Sequence, residues 1–251
     1  MYIQFSASLS LNSFPYFGIL QAMVKKINVA GVEIDNYTVR ESILNLDACL
    51  GAGGFYTIQE ITMGTIMQAN ANEKVKEALA KVTHSVIADV GILDVAGENT
   101  LQRKHEVADR DFFFEFMKRI ERNNKTVFLL GEDVLSTQAA HDFIMSAYNK
   151  CRIVGMGAVE EYDGCTDAII NEINSLDPYV LISVLPMPRQ ELFLLENRDK
   201  ISSTVWYGIG QALVGEKHHP LVRFVKHYMD VRQLLKIKKA KELKKLRVNK
   251  R

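Results

Sequence analysis

The second half of the chain alternates two kinds of segment at a spacing that leaves few folds open. Short apolar runs, KTVFLLG (125–131), CRIVGMG (151–157), PYVLISVLP (178–186) and STVWYGIG (203–210), alternate with stretches of helical spacing. Those are STQAAHDFIMSAYNK (136–150), TDAIINEINSL (166–176) and RQELFLLENRDK (189–200). Apolar runs of this kind are strands buried on both faces, and burial on both faces calls for helices on each side of the sheet. Strands joined through helices run parallel. The expected class is α/β, a mainly parallel sheet with flanking helices and a Rossmann-like second half.

The first half is less regular. KKINVAGVEIDNYT alternates apolar residues around Gly31 and predicts a short hairpin. Thr38 with Glu41 three residues on is a capping box ahead of a helix that GAGG (51–54) ends. FYTIQE reads as a strand ending in polar groups, EITMGTIMQAN and NEKVKEALAKV as helices, and HSVIADVGILDVAGEN as a strand entering a loop or helix. DRDFFFEFMKRIERNN is an amphipathic helix, and Ser136 is an expected cap of the helix that follows the next strand.

The formal net charge of +1 conceals a division. Residues 221–251 hold 12 Lys/Arg and 2 Asp/Glu, a local +10, whereas residues 1–220 hold 19 and 28, a net −9. Apolar residues at 221, 224, 225, 228, 231 and 235 form a helical stripe within the basic segment. Such a segment is drawn to anionic surfaces, with lipid headgroups favoured because the Lys-dense part has little aromatic interleaving for nucleic acid. Residues 1–22 lack charge and read as a leader or upstream start, 23–220 as the α/β domain and 221–251 as a basic appendage. Cys49, Cys151 and Cys165 show neither metal spacing nor a disulfide framework, which suits a reducing cytoplasm.

Four strand ends carry polar or glycine-rich residues: Thr57–Glu60, Ala88–Gly91, Pro186–Glu191 and Gly208–Gln211. In a parallel sheet they gather on the carboxyl edge, where ligands bind. Gly208 and Gly210 suit either close approach to a phosphate or a tight connection into the next helix. Asp89 suits either a general base or a helix cap. Asp109-Arg110-Asp111 has the spacing of a metal-diphosphate motif but opens a helix, where acids serve as N-terminal stabilisers. No P-loop, G-x-S-x-G or zincin pattern occurs in the sequence, and neither a metal nor a cofactor is expected.

From about Lys26 to about residue 235 the order of segments resembles the bacterial TagA/WecG/CpsF glycosyltransferases. The similar pieces are INVAGVEIDNYTVRESI, VFLLGED, IVGMGAVEEYD, INEINSLDPYVLISVLPMPRQELFLLENRD and VWYGIGQALVGEKHHP. Pro188-Arg189-Gln190-Glu191 looks like the family's Pro-Lys-Gln-Glu. The resemblance implies transfer of N-acetylmannosamine or a related sugar from a UDP donor to a polyprenyl-diphosphate-linked acceptor in cell-surface polysaccharide synthesis.

By the same resemblance Asp89 is the general base and Thr57 assists sugar binding. Gln59, Asp111, Arg189, Gln190, Glu191, Gly208, Gly210 and Gln211 contact substrate. The basic appendage, through Arg223, Lys226, Arg232 and Lys236, meets the inner face of the cell membrane, and members self-associate. The chain departs from the family in its site. Pro-Asp-Gly becomes Ala88-Asp89-Val90, an asparagine becomes Gln59, and Glu106 stands where an arginine is expected, with Arg103 or Arg110 as the available substitutes. The loop Gly210–Val214 lacks the family's closing Asp. The alternative is a non-catalytic nucleotide-sugar-binding or scaffolding relative.

Overall fold

The computed structural model describes residues 25–98, 100–162, 165–213 and 220–248, with the side chains of the last segment given over 229–246. Lys26–Val29 (β1) and Val32–Asp35 (β2) form the expected antiparallel hairpin. Ala30 and Gly31 at its turn both have positive φ, 53° and 84°, as a two-residue turn matched to strand twist requires. Val39–Ala52 (α1) follows, with Thr38 and Glu41 closing the capping box reciprocally.

Among the described residues six strands make one parallel sheet: Tyr56–Ile61 (β3), His84–Ile87 (β4), Thr126–Gly131 (β5), Arg152–Ala158 (β6), Val180–Ser183 (β7) and Val205–Gly208 (β8). Their spatial order is β4-β3-β8-β7-β5-β6, and every pairing is parallel. The central strands are buried along their whole length, the reason they read as continuous apolar runs. In this order the first strand of the sheet, β3, lies against the last, β8, so both halves of the chain share one carboxyl edge.

Helices cover both faces. Met63–Ala71 (α2), Glu73–Ala80 (α3), Val90–Ala96 (α4), Leu101–Ala108 (α5) and Asp111–Arg122 (α6) lie in the first half. Val134–Ala147 (α7), Thr166–Leu176 (α8) and Arg189–Asn197 (α9) lie in the second. Successive strand residues divide between two cores. Ile182 and Tyr207 pack with Phe112, Phe113, Phe116 and Ile144, while Leu181 and Trp206 pack with Ile169, Ile173 and Phe193. The cap of α7 is Asp133, with Ser136 as its partner three residues on rather than the cap itself.

The chain ends in Pro220–Val248 (α10). Its described inward face keeps Val231 of the expected stripe but takes Leu234, fully buried, in place of Leu235, which is 47% exposed; Ile237 packs beside them. Two adjacent leucines serve a helical period equally well, and only the partner surface, here α4 and α2, selects between them. Arg232 and Lys236 are exposed, whereas the side chains of Arg223 and Lys226, like residues 1–22 and 214–219, lie outside the described residues. No helix among the described residues is long and apolar enough to cross a membrane.

Candidate active site

β4, β3, β8 and β7 are consecutive neighbours, so the four polar strand ends do meet on one edge. Above them opens a cleft of about 390 Å³, lined in part by Glu60, Asp89, Gln190, Glu191, Gly210 and Gln211. Thr62 and Thr65 of the first turn of α2, Met187, and Asp230 of α10 also line it.

The floor is built around Gly208. In the ladder Gly208 lies beside Gln59 on one side and Ser183 on the other. A Cβ at Gly208 would stand 2.3 Å from Gln59 Oε1 and 2.9 Å from Gln190 Nε2, so the absent side chain is what lets both glutamines pack over the strand end. Gln190 then accepts the Gly210 N–H at Oε1, 2.9 Å away. Gly210 turns there with φ 59°, a conformation that favours glycine. Gln59 donates from Nε2 to Glu191 Oε1 at 3.2 Å. Glu191 is 2% exposed, its Oε2 lacks a hydrogen-bond partner among the described residues, and burial pushes its carboxyl up to about 7.

Asp89 is a helix cap that also borders the cleft. It caps α4, Oδ1 accepting the Gly91 N–H at 2.9 Å, and it lines the cleft. The cap fixes the side chain at the carboxyl end of β4. Glu60, at the end of β3, is buried and takes the Tyr207 hydroxyl at 2.8 Å and Arg110 Nη2 at 2.8 and 3.0 Å. Burial raises its pKa more than Arg110 and Tyr207 lower it. Arg110 has φ 56° in the left-handed region, unusual for a non-glycine residue, and its guanidinium lies 5.3 Å from the Phe113 ring centroid.

Other expected site residues lie elsewhere. Thr57 sits near the start of β3, fully buried, and its Oγ1 accepts the Thr83 N–H at 2.9 Å. The strand continues to Ile61, so its cleft end carries Glu60 and then Thr62. Asp111 opens α6 without lining the cleft, and partial burial first, then Asp109, Glu106 and Glu115, raises its pKa. Arg189 turns the other way along the edge and pairs with Glu132. Neither proposed substitute for the missing arginine faces the cleft as an uncommitted cation: Arg103 holds Glu106 at 2.5 Å and Arg110 holds Glu60. No lysine or arginine is among the cleft's described lining residues, and no group of three or more potential metal ligands occurs among the described residues.

The sequence reading passed over Glu60, Thr62, Thr65, Met187 and Asp230 as individual site residues. Thr62 was detectable, because with Thr65 it closes a capping box at α2. Asp230 was not, because only the docking of α10 on α4 and α2 brings it to the edge.

The chain is similar, at 20% identity over 191 residues, to Staphylococcus aureus proteins from strains NCTC 8325 / PS 47, COL and N315. The match covers 75% of this chain and 74% of each relative. Those relatives are named N-acetylglucosaminyldiphosphoundecaprenol N-acetyl-beta-D-mannosaminyltransferase. The family model described as glycosyl transferase WecG/TagA/CpsF matches residues 27–214, and the chain belongs to that family.

Proposed function

We propose that the protein is a glycosyltransferase moving an N-acetylmannosamine-like sugar from a UDP donor to a polyprenyl-diphosphate-linked acceptor in cell-surface polymer synthesis. The observation that carries this reading is the convergence of Asp89, from the first half of the chain, with Gln190, Glu191, Gly210 and Gln211, from the second, on one cleft. In the step proposed, the Asp89 carboxylate takes the proton of the acceptor hydroxyl. That oxygen bonds to the anomeric carbon as the bond from carbon to the diphosphate oxygen breaks, and UDP leaves with the electron pair. Gln190 and the Gly210 turn hold the donor, with Gln59 behind them. The outward Arg232 and Lys236 of α10 face an anionic membrane surface, at roughly 1 kcal/mol per basic residue, where the acceptor's lipid is anchored.

A second reading, a relative that binds nucleotide sugar without turnover, is favoured by one observation: Arg103 and Arg110 are both held by carboxylates. Incubating the protein with a panel of UDP-sugars and a short polyprenyl-diphosphate-sugar analogue, with product read by mass spectrometry, separates the two. The first reading expects an acceptor heavier by one sugar residue. Calorimetric UDP binding without any such product supports the second.

A further inference from the structure

Glu191 differs from the other carboxylates around the cleft in what surrounds it. Glu60 has Arg110 and Tyr207, and Asp89 has the start of α4. Glu191 has Gln59 on Oε1, while Oε2 is buried with no partner among the described residues. A buried polar atom left unpaired costs about 1–3 kcal/mol, so this oxygen keeps hydrogen-bonding capacity that a ligand group could take up.

Among the described residues no cation is aimed at Glu191. The other charged residues among the cleft's described lining are Glu60 on β3, Asp89 ahead of α4 and Asp230 on α10, all acidic. On its own helix, Arg189 is paired with Glu132. On α3, which packs against α9, Lys76 pairs with Glu73 at 3.1 Å, and Lys81 just beyond pairs with Glu77 at 2.7 Å. Ionised, Glu191 would be a desolvated charge met, among the described residues, only by the Gln59 amide and its own backbone N–H, in a cleft that must admit a diphosphate.

We propose that Glu191 is a specificity-determining residue that meets its ligand as a neutral carboxylic acid. Its carbonyl Oε1 is held by Gln59, and the hydroxyl on Oε2 donates to an acceptor oxygen of the nucleotide sugar. That oxygen is either an N-acyl carbonyl or a phosphoryl oxygen. The proposal rests on the glycosyltransferase reading and adds a proton to it. Burial alone accounts for the upward shift of this carboxyl, and it places the loss of that proton near neutral pH.

The test compares wild type with Glu191→Gln, whose amide N–H replaces the acid O–H without titrating. Binding of UDP, UDP-glucose and UDP-N-acetylglucosamine is measured by calorimetry from pH 6 to pH 8.5. For a group titrating near 7, the protonated fraction falls about 30-fold over that range, and wild-type Kd rises by the same factor. The Gln variant is expected to match the wild-type affinity at pH 6 within about threefold and to hold it at pH 8.5. A pH effect seen with all three ligands assigns the acceptor as phosphoryl, and one confined to UDP-N-acetylglucosamine assigns it as the acyl carbonyl.

Thermal unfolding without ligand reads the proton independently. A carboxyl whose folded pKa lies above its unfolded value contributes stability that is present below the unfolded pKa and lost as pH rises toward the folded one. Wild type is therefore expected to lose stability relative to the Gln variant between about pH 4.5 and 7. Parallel Tm curves, together with a Kd ratio between wild type and variant that does not change with pH, overturn the proposal. Failure of wild type to bind any of the three nucleotides at any pH overturns the glycosyltransferase reading and the ligand contact together, while the Tm comparison still decides whether the proton is there.

Discussion

Two glutamines occupy the space a side chain at Gly208 would fill, and this makes that glycine a direct probe of the site. Gly208→Ala puts a methyl 2.3 Å from Gln59 Oε1 and 2.9 Å from Gln190 Nε2. Overpacking of this kind costs about 1–3 kcal/mol, and it moves Gln190 off the Gly210 N–H. The expected outcome is a Tm lower by several degrees in calorimetric scans and a raised KM for the sugar donor. Unchanged values for both would mean the glutamines are not packed over the strand end. The residue scale is also where sequence reading faltered. Glu60 was visible as a polar strand end, but which residue of Thr57–Thr62 reaches the edge depends on where β3 starts. Tyr56 pairs with Val205, which leaves Thr57 deep and brings Thr62 to the rim. Pairing register belongs to two strands about 150 residues apart, and neither strand carries it alone.

At the scale of elements, α10 is a built-in part of the body. Leu234 is fully buried against the cluster that includes Ile92, Leu93 and Val95. Lys238 Nζ donates to Val95 O at 2.9 Å, in the last turn of α4, where free carbonyls and the helix dipole favour a cation. Lys241 Nζ donates to Ala30 O at 2.7 Å, at the turn of the β1–β2 hairpin. Two basic residues of the segment expected to meet an anionic surface therefore fasten the helix to the protein. Leu234→Asp buries an unpaired charge at this seam, a change that costs several kcal/mol where it cannot relax. We expect α10 to detach. Amide hydrogen exchange would then rise along 229–246 while the β5–β8 amides stay protected, and transfer would fall because Asp230 leaves the cleft. Full protection of α10 in this variant would mean that its docking does not depend on Leu234.

At the scale of the whole molecule, the α/β alternation of the second half dictated a parallel sheet, and a parallel sheet dictates where a ligand goes. The division between an acidic body and a basic end was equally legible, because net charge needs no geometry. The charge of the cleft itself was hidden. Glu60, Asp89, Glu191 and Asp230 come from four separate elements, and only the assembled edge shows them lining one space with no lysine or arginine among its described residues. All of the proposed chemistry passes through Asp89. Asn at this position still accepts the Gly91 N–H and caps α4, so the substitution keeps the cap while removing the carboxylate's charge and basicity. Single-turnover transfer by Asp89→Asn, with excess enzyme and the UDP-sugar that wild type uses, is expected to be slower by about 10²–10⁴-fold at unchanged Tm and donor affinity. Transfer at the wild-type rate would contradict the account.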